Sequence, residues 1–368
     1  MSNLPIFRPS FGNRPDQLVG RDETLQEILD GLKSYPGSTE RATLLIGQRG
    51  MGKTAMLLEI AERAQELDYV VARTTCGDAM VDNLIEVLQR AGSQFVKEDK
   101  KPIKGFTAGA LGFSVGLTFT DDVQRSFGFR VKLEMICERL AQADKRVLLL
   151  VDEVDPSIEQ MRNLATTYQE LAGDGADIAM IMAGLPSAVS SILNYKTLTF
   201  LNRAQRIALE TVSISEVEAY YHSAFARAGI TADDSALASA SALTEGFPYL
   251  IQLIGYYLVK YADGSKAVSA SLLEKAHKAA MSDLDVKVFQ AMLNPLSKGD
   301  RAFLQAMAQD DGFTQTSSIE ERLGLSHGTV QTYRKRLIEA GVIAAPRRGE
   351  ITFVLPALAD YLRRSIED

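Results

Sequence analysis

From residue 42 to about 212, short unbroken apolar runs alternate with stretches whose apolar residues recur every three or four positions. The runs at 42–46, 69–75, 147–151 and 178–183, with a fifth at 205–210, are too short for helices and too continuous for half-exposed strands. They predict a parallel α/β sheet with helices between the strands, such as the one marked by Met56, Leu57, Ile60 and Ala61. Ahead of the first run lies a Pro-rich extended segment, then an amphipathic helix through Ile28, Leu29 and Leu32.

Two regions depart from this rhythm. Residues 97–122 begin with a charged stretch and continue in period-two alternation with repeated glycines, which predicts a protruding β-hairpin insertion, either a contact for a partner or DNA or an inert surface loop. Beyond Thr211 the pattern turns helical to about residue 290, opened by the capping signal Ser215-Glu216-Val217-Glu218. Asn294-Pro295 marks a boundary. After it, helical spacing at 296–308, 317–323 and 326–339 is followed by strands at 341–344 and 351–355 around Arg347-Arg348-Gly349. Three helices and a basic-tipped hairpin make a winged helix-turn-helix. The expected domains are a nucleotide-binding core over 1–212, a helical lid over 213–294 and the winged helix over 295–368.

The first strand runs straight into Gly47-Gln48-Arg49-Gly50-Met51-Gly52-Lys53-Thr54, a G-x-x-x-x-G-K-[ST] loop opening a helix. Backbone N–H groups of such a loop face a β-phosphate, and the helix N-terminus adds its positive dipole end. Lys53 is the candidate cation for the β- and γ-phosphates and Thr54 the candidate Mg²⁺ ligand. Further on, Arg146-Val147-Leu148-Leu149-Leu150-Val151-Asp152-Glu153 ends a core strand in two carboxylates. Asp152 is placed to hold Mg²⁺ through water, and Glu153 to polarise a water in line with the γ-phosphate.

Composition narrows the rest. The net charge of −7 excludes coating of nucleic acid by bulk charge, so any DNA binding must come from a local patch. Two cysteines, Cys76 and Cys137, and three scattered histidines make neither a disulfide framework nor a zinc centre. No apolar stretch is long enough to cross a bilayer, and Met1-Ser2-Asn3-Leu4-Pro5 lacks a signal character, so a cytoplasmic protein without membrane partners is expected.

Together these motifs resemble prokaryotic AAA+ ATPases of the origin-recognition-like and STAND type, including archaeal-ATPase-like proteins with a C-terminal winged helix. Besides the two nucleotide motifs, the resemblance rests on Leu18-Val19-Gly20-Arg21, Ala183-Gly184-Leu185-Pro186, Gly246-Phe247-Pro248-Tyr249 and Leu355-Pro356-Ala357-Leu358-Ala359-Asp360-Tyr361-Leu362. It implies ATP and ADP as ligands with Mg²⁺, Val19, Gly20 and Arg21 beside the nucleotide, and a lid that senses the nucleotide through Pro248 and works as a switch. Arg203, in Phe200-Leu201-Asn202-Arg203-Ala204, matches the place of an arginine finger acting on a neighbour in a homo-oligomer; the alternative is ordinary surface pairing with a carboxylate. Two departures stand out: no Asn or Thr follows the fourth core strand, and no arginine adjoins Gly246-Phe247-Pro248. Slow hydrolysis follows from the first.

On the third winged helix Val330, Leu337 and Ile338 are expected to face the core, leaving His327, Gln331, Thr332 and Lys335 outward. Gln331 suits an adenine edge, while Arg334, Arg336, Arg347 and Arg348 would hold phosphates. Two readings stay open: an ATP-dependent DNA-binding switch in replication, transposition or regulation, and a signalling ATPase whose winged helix contacts a protein.

Overall fold

The computed structural model describes residues 5–9, 14–96, 113–262, 266–355 and 357–367. Contacts divide the chain into two compact units, one from residues 21–47 and 53–209, the other from residues 1–20, 48–52 and 210–368.

In the first unit the strands are β1 (Ala42–Ile46), β2 (Tyr69–Thr75), β3 (Phe113–Val115), β4 (Thr118–Phe119), β5 (Arg146–Asp152), β6 (Ile178–Gly184) and β7 (Gln205–Ala208). Five of them form one parallel sheet in the order β2-β5-β6-β1-β7. Position in this order explains the residues each strand carries. Central β6 is buried at every residue, and β5 at all but Arg146, so both are continuously apolar up to the carboxylate that ends β5. Edge strand β2 instead alternates towards its end, with Ala72 and Thr74 buried and Arg73 and Thr75 exposed. Helices Lys53–Gln65, Met80–Gly92, Phe129–Ala141 and Glu159–Gly173 cover the sheet with Leu57, Leu84, Leu88, Leu133, Leu140 and Leu164, all excluded from solvent. Each such side chain contributes about 1.5–3 kcal/mol by leaving water.

Of the expected insertion, the structure describes residues 113–122. There a hairpin between β3 and β4 packs against the core: Leu117 and Phe119 are buried, and Gly92 leaves the space that Leu117 fills. Gln89 donates to the Leu117 carbonyl at 2.8 Å and Leu117 N–H donates to Ser93 Oγ at 3.0 Å. Docking on the helix Met80–Gly92 is thus what the apolar half of the alternation serves. Residues 97–112 lie outside the described residues.

The second unit begins with four lid helices, Ile214–Ala228, Asp234–Ala242, Pro248–Tyr261 and Ala270–Leu284. The cap of the first is Ser213 rather than Ser215: its hydroxyl accepts from Glu216 N–H at 3.3 Å while the Glu216 carboxylate accepts from Ser213 N–H at 3.2 Å. Phe7 from the leading segment is buried among Tyr220, Tyr221 and Phe225, in a space that exists because residue 255 is glycine.

The fourth lid helix runs on to Leu293, just before Asn294-Pro295. It continues through a π-helical turn, Asp285–Gln290, to Ala291–Leu293. Three helices then follow, Lys298–Met307, Thr316–Leu323 and His327–Glu339, with strands β8 (Thr314–Gln315), β9 (Ile343–Ala344) and β10 (Glu350–Phe353) in an antiparallel sheet of order β8-β10-β9. A closing helix, Leu358–Glu367, ends the chain. Its Arg363 donates to the Ala308 carbonyl at 2.5 Å and the Asp310 carbonyl at 2.9 Å, which ties it to the end of the first winged helix.

Candidate functional site

Parallel pairing places the C-terminal ends of β1 and β5 on the same sheet edge, separated by β6. That edge is where α/β folds bind ligands. Gly47 N–H donates to the Gly184 carbonyl at 3.2 Å, fixing the start of the loop to β6. The loop turns at Gly50 and Gly52, whose φ values of +78° and +83° belong to the left-handed region that glycine adopts without penalty. Among the described residues other than its chain neighbours, no atom lies within 4 Å of the position a Gly52 Cβ would take. Lys53 begins the helix, and its ammonium donates to the Gly47 carbonyl at 2.7 Å.

The Thr54 hydroxyl donates to Asp152 Oδ2 at 2.6 Å. Asp152 is only 6% exposed, and its other oxygen accepts from Glu153 N–H at 3.0 Å. A hydroxyl and a carboxylate meeting in this way are the hard oxygen donors that Mg²⁺ takes. The residues present therefore fit the metal. Glu153 differs from its neighbour: it is exposed, its backbone sits at φ +55°, and its carboxylate has no protein partner among the described residues. A left-handed glutamate costs about 1–2 kcal/mol, and such strain gathers at working sites. Cys76 N–H donates to the Asp152 carbonyl at 2.9 Å, and burial pushes the Cys76 thiol above its usual range. Cys137, fully enclosed, is pushed up to about 12 by the same cause.

The remaining nucleotide candidates divide between units. Gln48, Arg49, Gly50, Met51, Val19, Gly20 and Pro248 lie in the second unit, and Arg21 opens the first. Gly20 has φ +64°, with Val212 and the Glu216 carboxylate against the position of its missing Cβ. Pro248 is the first residue of a lid helix, where its absent N–H is no loss. Sequence reasoning passed over Phe247 beside it, although an aromatic between Gly and Pro at a helix start was the available signal. Arg203 ends a short 3₁₀ turn, Thr199–Arg203, exposed and without an ion-pair partner among the described residues.

On the winged unit, Arg347 and Arg348 are exposed at the turn between β9 and β10, and neither guanidinium has a protein partner among the described residues. On the third helix Val330 and Leu337 are buried and Ile338 half-buried, while Gln331 is half-buried and Thr332 and Lys335 are exposed. The Thr332 hydroxyl donates to the Gly328 carbonyl at 2.9 Å, and Lys335 lies 3.8 Å from Glu339. Arg336 corrects the expectation of a phosphate contact. Its guanidinium donates to Asp300 Oδ1 at 2.6 Å and lies over the Tyr333 ring, so it locks the first winged helix to the third. Burial works against the Asp300 charge, but hydrogen bonds from Ser297 and Arg336 outweigh it and hold the carboxyl below the usual range.

Comparison with known proteins agrees with this geometry. A family profile described as an AAA ATPase domain matches residues 17–173, and one described as a domain of unknown function, DUF8462, matches residues 286–362. A Methanocaldococcus jannaschii protein called an uncharacterized HTH-type transcriptional regulator is 22% identical over 95% of this chain and 90% of its own. The Walker-type ATPase PabY2304 of Pyrococcus abyssi shares the fold at TM-score 0.68 and 15% identity, over 98% of this chain and 99% of that one. The ORC2 protein of Aeropyrum pernix, solved as ADPNP–ADP complexes, does so at 0.63 and 13%, over 98% of each chain. Residues 17–173 thus match an AAA ATPase domain, and the chain shares with PabY2304 a fold made of a P-loop core, a helical region and a C-terminal winged-helix unit.

Proposed function

We propose that this chain is an ATP-hydrolysing switch whose winged helix binds DNA. The observation that carries the nucleotide half is the 2.6 Å pair between Thr54 and the buried Asp152 at the foot of the glycine loop. Loop N–H groups and the Lys53 ammonium bind the phosphates, and Thr54 and Asp152 hold Mg²⁺. Bound there, Mg²⁺ would supply positive charge against that of the phosphates. Glu153 accepts the proton of the attacking water, and its free, exposed carboxylate supports that role. Pro248, in the same compact unit as residues 48–52, supports lid sensing of the nucleotide. No polar side chain ends β6, whose last residue is Gly184, and slow turnover is the consequence drawn from it.

The unpaired Arg347 and Arg348 at the wing support the DNA half, as does the relative named for an HTH regulator. The wing cations would hold flanking phosphates while Gln331, Thr332 and Lys335 face the major groove. One observation favours a protein partner instead: Arg336 is committed to Asp300, which leaves the third helix less basic than its sequence. A salt titration separates the two. Replacing Arg347 and Arg348 with Ala should weaken DNA binding on every sequence and flatten the log–log salt dependence by about two, since each phosphate contact releases nearly one counterion. Parent and double variant binding DNA alike across the titration, or neither binding with ATP, ADP or no nucleotide, would give the winged helix to a protein partner. Lys53→Ala should abolish ATP binding in the same protein preparation.

A further inference from the structure

A close approach in the second unit joins the phosphate loop to the lid. A Cβ built on Gly50 would stand 2.3 Å from Cζ of Phe247 and 3.1 Å from both ring Cε atoms, so the ring is aimed end-on at the loop backbone. Phe247 is 1% exposed. Its own backbone is held on both sides: Phe247 N–H donates to the Thr244 carbonyl at 2.8 Å, and its carbonyl accepts from Ile251 N–H at 3.0 Å. The preceding Gly246, at φ +68°, has Val212 backbone where a Cβ would go and accepts from Val212 N–H at 2.8 Å. The ring thus stands on a rigid turn and meets the middle of a loop whose left-handed glycine alone permits the approach.

We propose that Phe247 is a positioning residue for the phosphate loop: its ring sets the backbone at Gly50, so the lid helix Pro248–Tyr261 and the cradle change conformation together. The inference rests on reading residues 47–54 as the nucleotide cradle. Pro248 touching nucleotide is a separate matter, because the ring acts on the loop and not on the ligand.

The test is a double-mutant cycle in the full chain, with ADP affinity measured by titration calorimetry and unfolding temperature measured without nucleotide. Gly50→Ala drives a methyl into the ring and should weaken ADP binding at least about tenfold. Removing the ring as well, in Gly50→Ala with Phe247→Ala, should recover about fivefold of that loss, the size of coupling expected for residues in contact. Recovery stays partial because Ala at φ +78° remains strained. Phe247→Leu, which ends short of Cζ, repeats the comparison should the Ala variant not fold. Fold-losses that simply multiply overturn the inference. So do lowered unfolding temperatures with unchanged ADP affinity in every variant, which is what a merely structural ring would give. Lys53→Ala separates the two layers: if it and the parent bind ADP alike, the cradle reading itself falls.

Discussion

Glu153 shows how much can hang on one backbone angle. It is left-handed where its neighbour is not, and the adjacent acids take different environments, Asp152 buried and paired, Glu153 exposed and unpartnered among the described residues. Glu153→Gln keeps the conformation and the volume but removes the proton acceptor. ATP should still bind, turnover should fall about 10²–10⁴-fold, and the unfolding temperature should stay at the parental value. Hydrolysis at the parental rate would remove Glu153 from the water-activating role. Both acids were legible as residues because they end an unbroken apolar run; the strained φ was not, since nothing in Asp-Glu names a backbone angle. Phe247 was illegible for a different reason: its partner, Gly50, is remote in sequence, and a buried aromatic looks alike whether it fills a core or props a loop.

Among elements, the winged unit is held by ionic pins as well as apolar packing. Asp300 caps its own helix through Ser297 and receives Arg336 from the third helix, and Arg322 donates to both Asp310 oxygens at 2.8 Å and 2.5 Å. Because the folded Asp300 carboxyl is held below the unfolded value near 3.9, its stabilisation is present above that pH and lost as pH falls through the folded value. Asp300→Asn should therefore lose about 1–2 kcal/mol at pH 7, with the parent–variant gap closing below about pH 4. An equal gap at pH 3 and pH 7 in thermal unfolding would count against the pin. The three helices and the hairpin were readable from periodicity and the Arg-Arg-Gly turn. Strand β8 was not, being two residues long and defined only by its pairing with β10. The cap moved from Ser215 to Ser213 because both serines have a glutamate three residues on, Glu218 and Glu216, so the sequence offers two capping boxes.

At the scale of the whole molecule, the unpaired Arg203 raises the question of a second copy. A finger that completes a neighbour's site makes specific activity rise with protein concentration. Mixing Arg203→Ala with Lys53→Ala should restore activity that neither has alone, since one mixed pair joins an intact cradle to an intact finger, and one finger contributes on the order of a thousandfold. Concentration-independent turnover untouched by Arg203→Ala would leave Arg203 an ordinary surface cation. Among the described residues no helix is long and apolar enough to cross a membrane. The division into two units was the least legible feature of all, because residues 48–52 leave the core sequence they are embedded in and cluster with a segment that starts at Glu210.

The π-turn at Asp285–Gln290 has an arithmetic of its own. Buried positions along this helix run Ala276, Ala280, Leu284 and then Phe289, a step of five where the others are four. An α-helix advances about 100° per residue, so without a wider turn Phe289 would stand about 100° off the stripe. The linker therefore carries one surplus residue, lodged as a dislocation is lodged in a crystal row, with half-exposed Val286 beside it. Sliding such a dislocation by one position swings the side chain it passes by about 100° while the helix on either side keeps its length and place. Lid and winged helix are thus joined by a helix that carries its one wide turn where the buried stripe skips a residue.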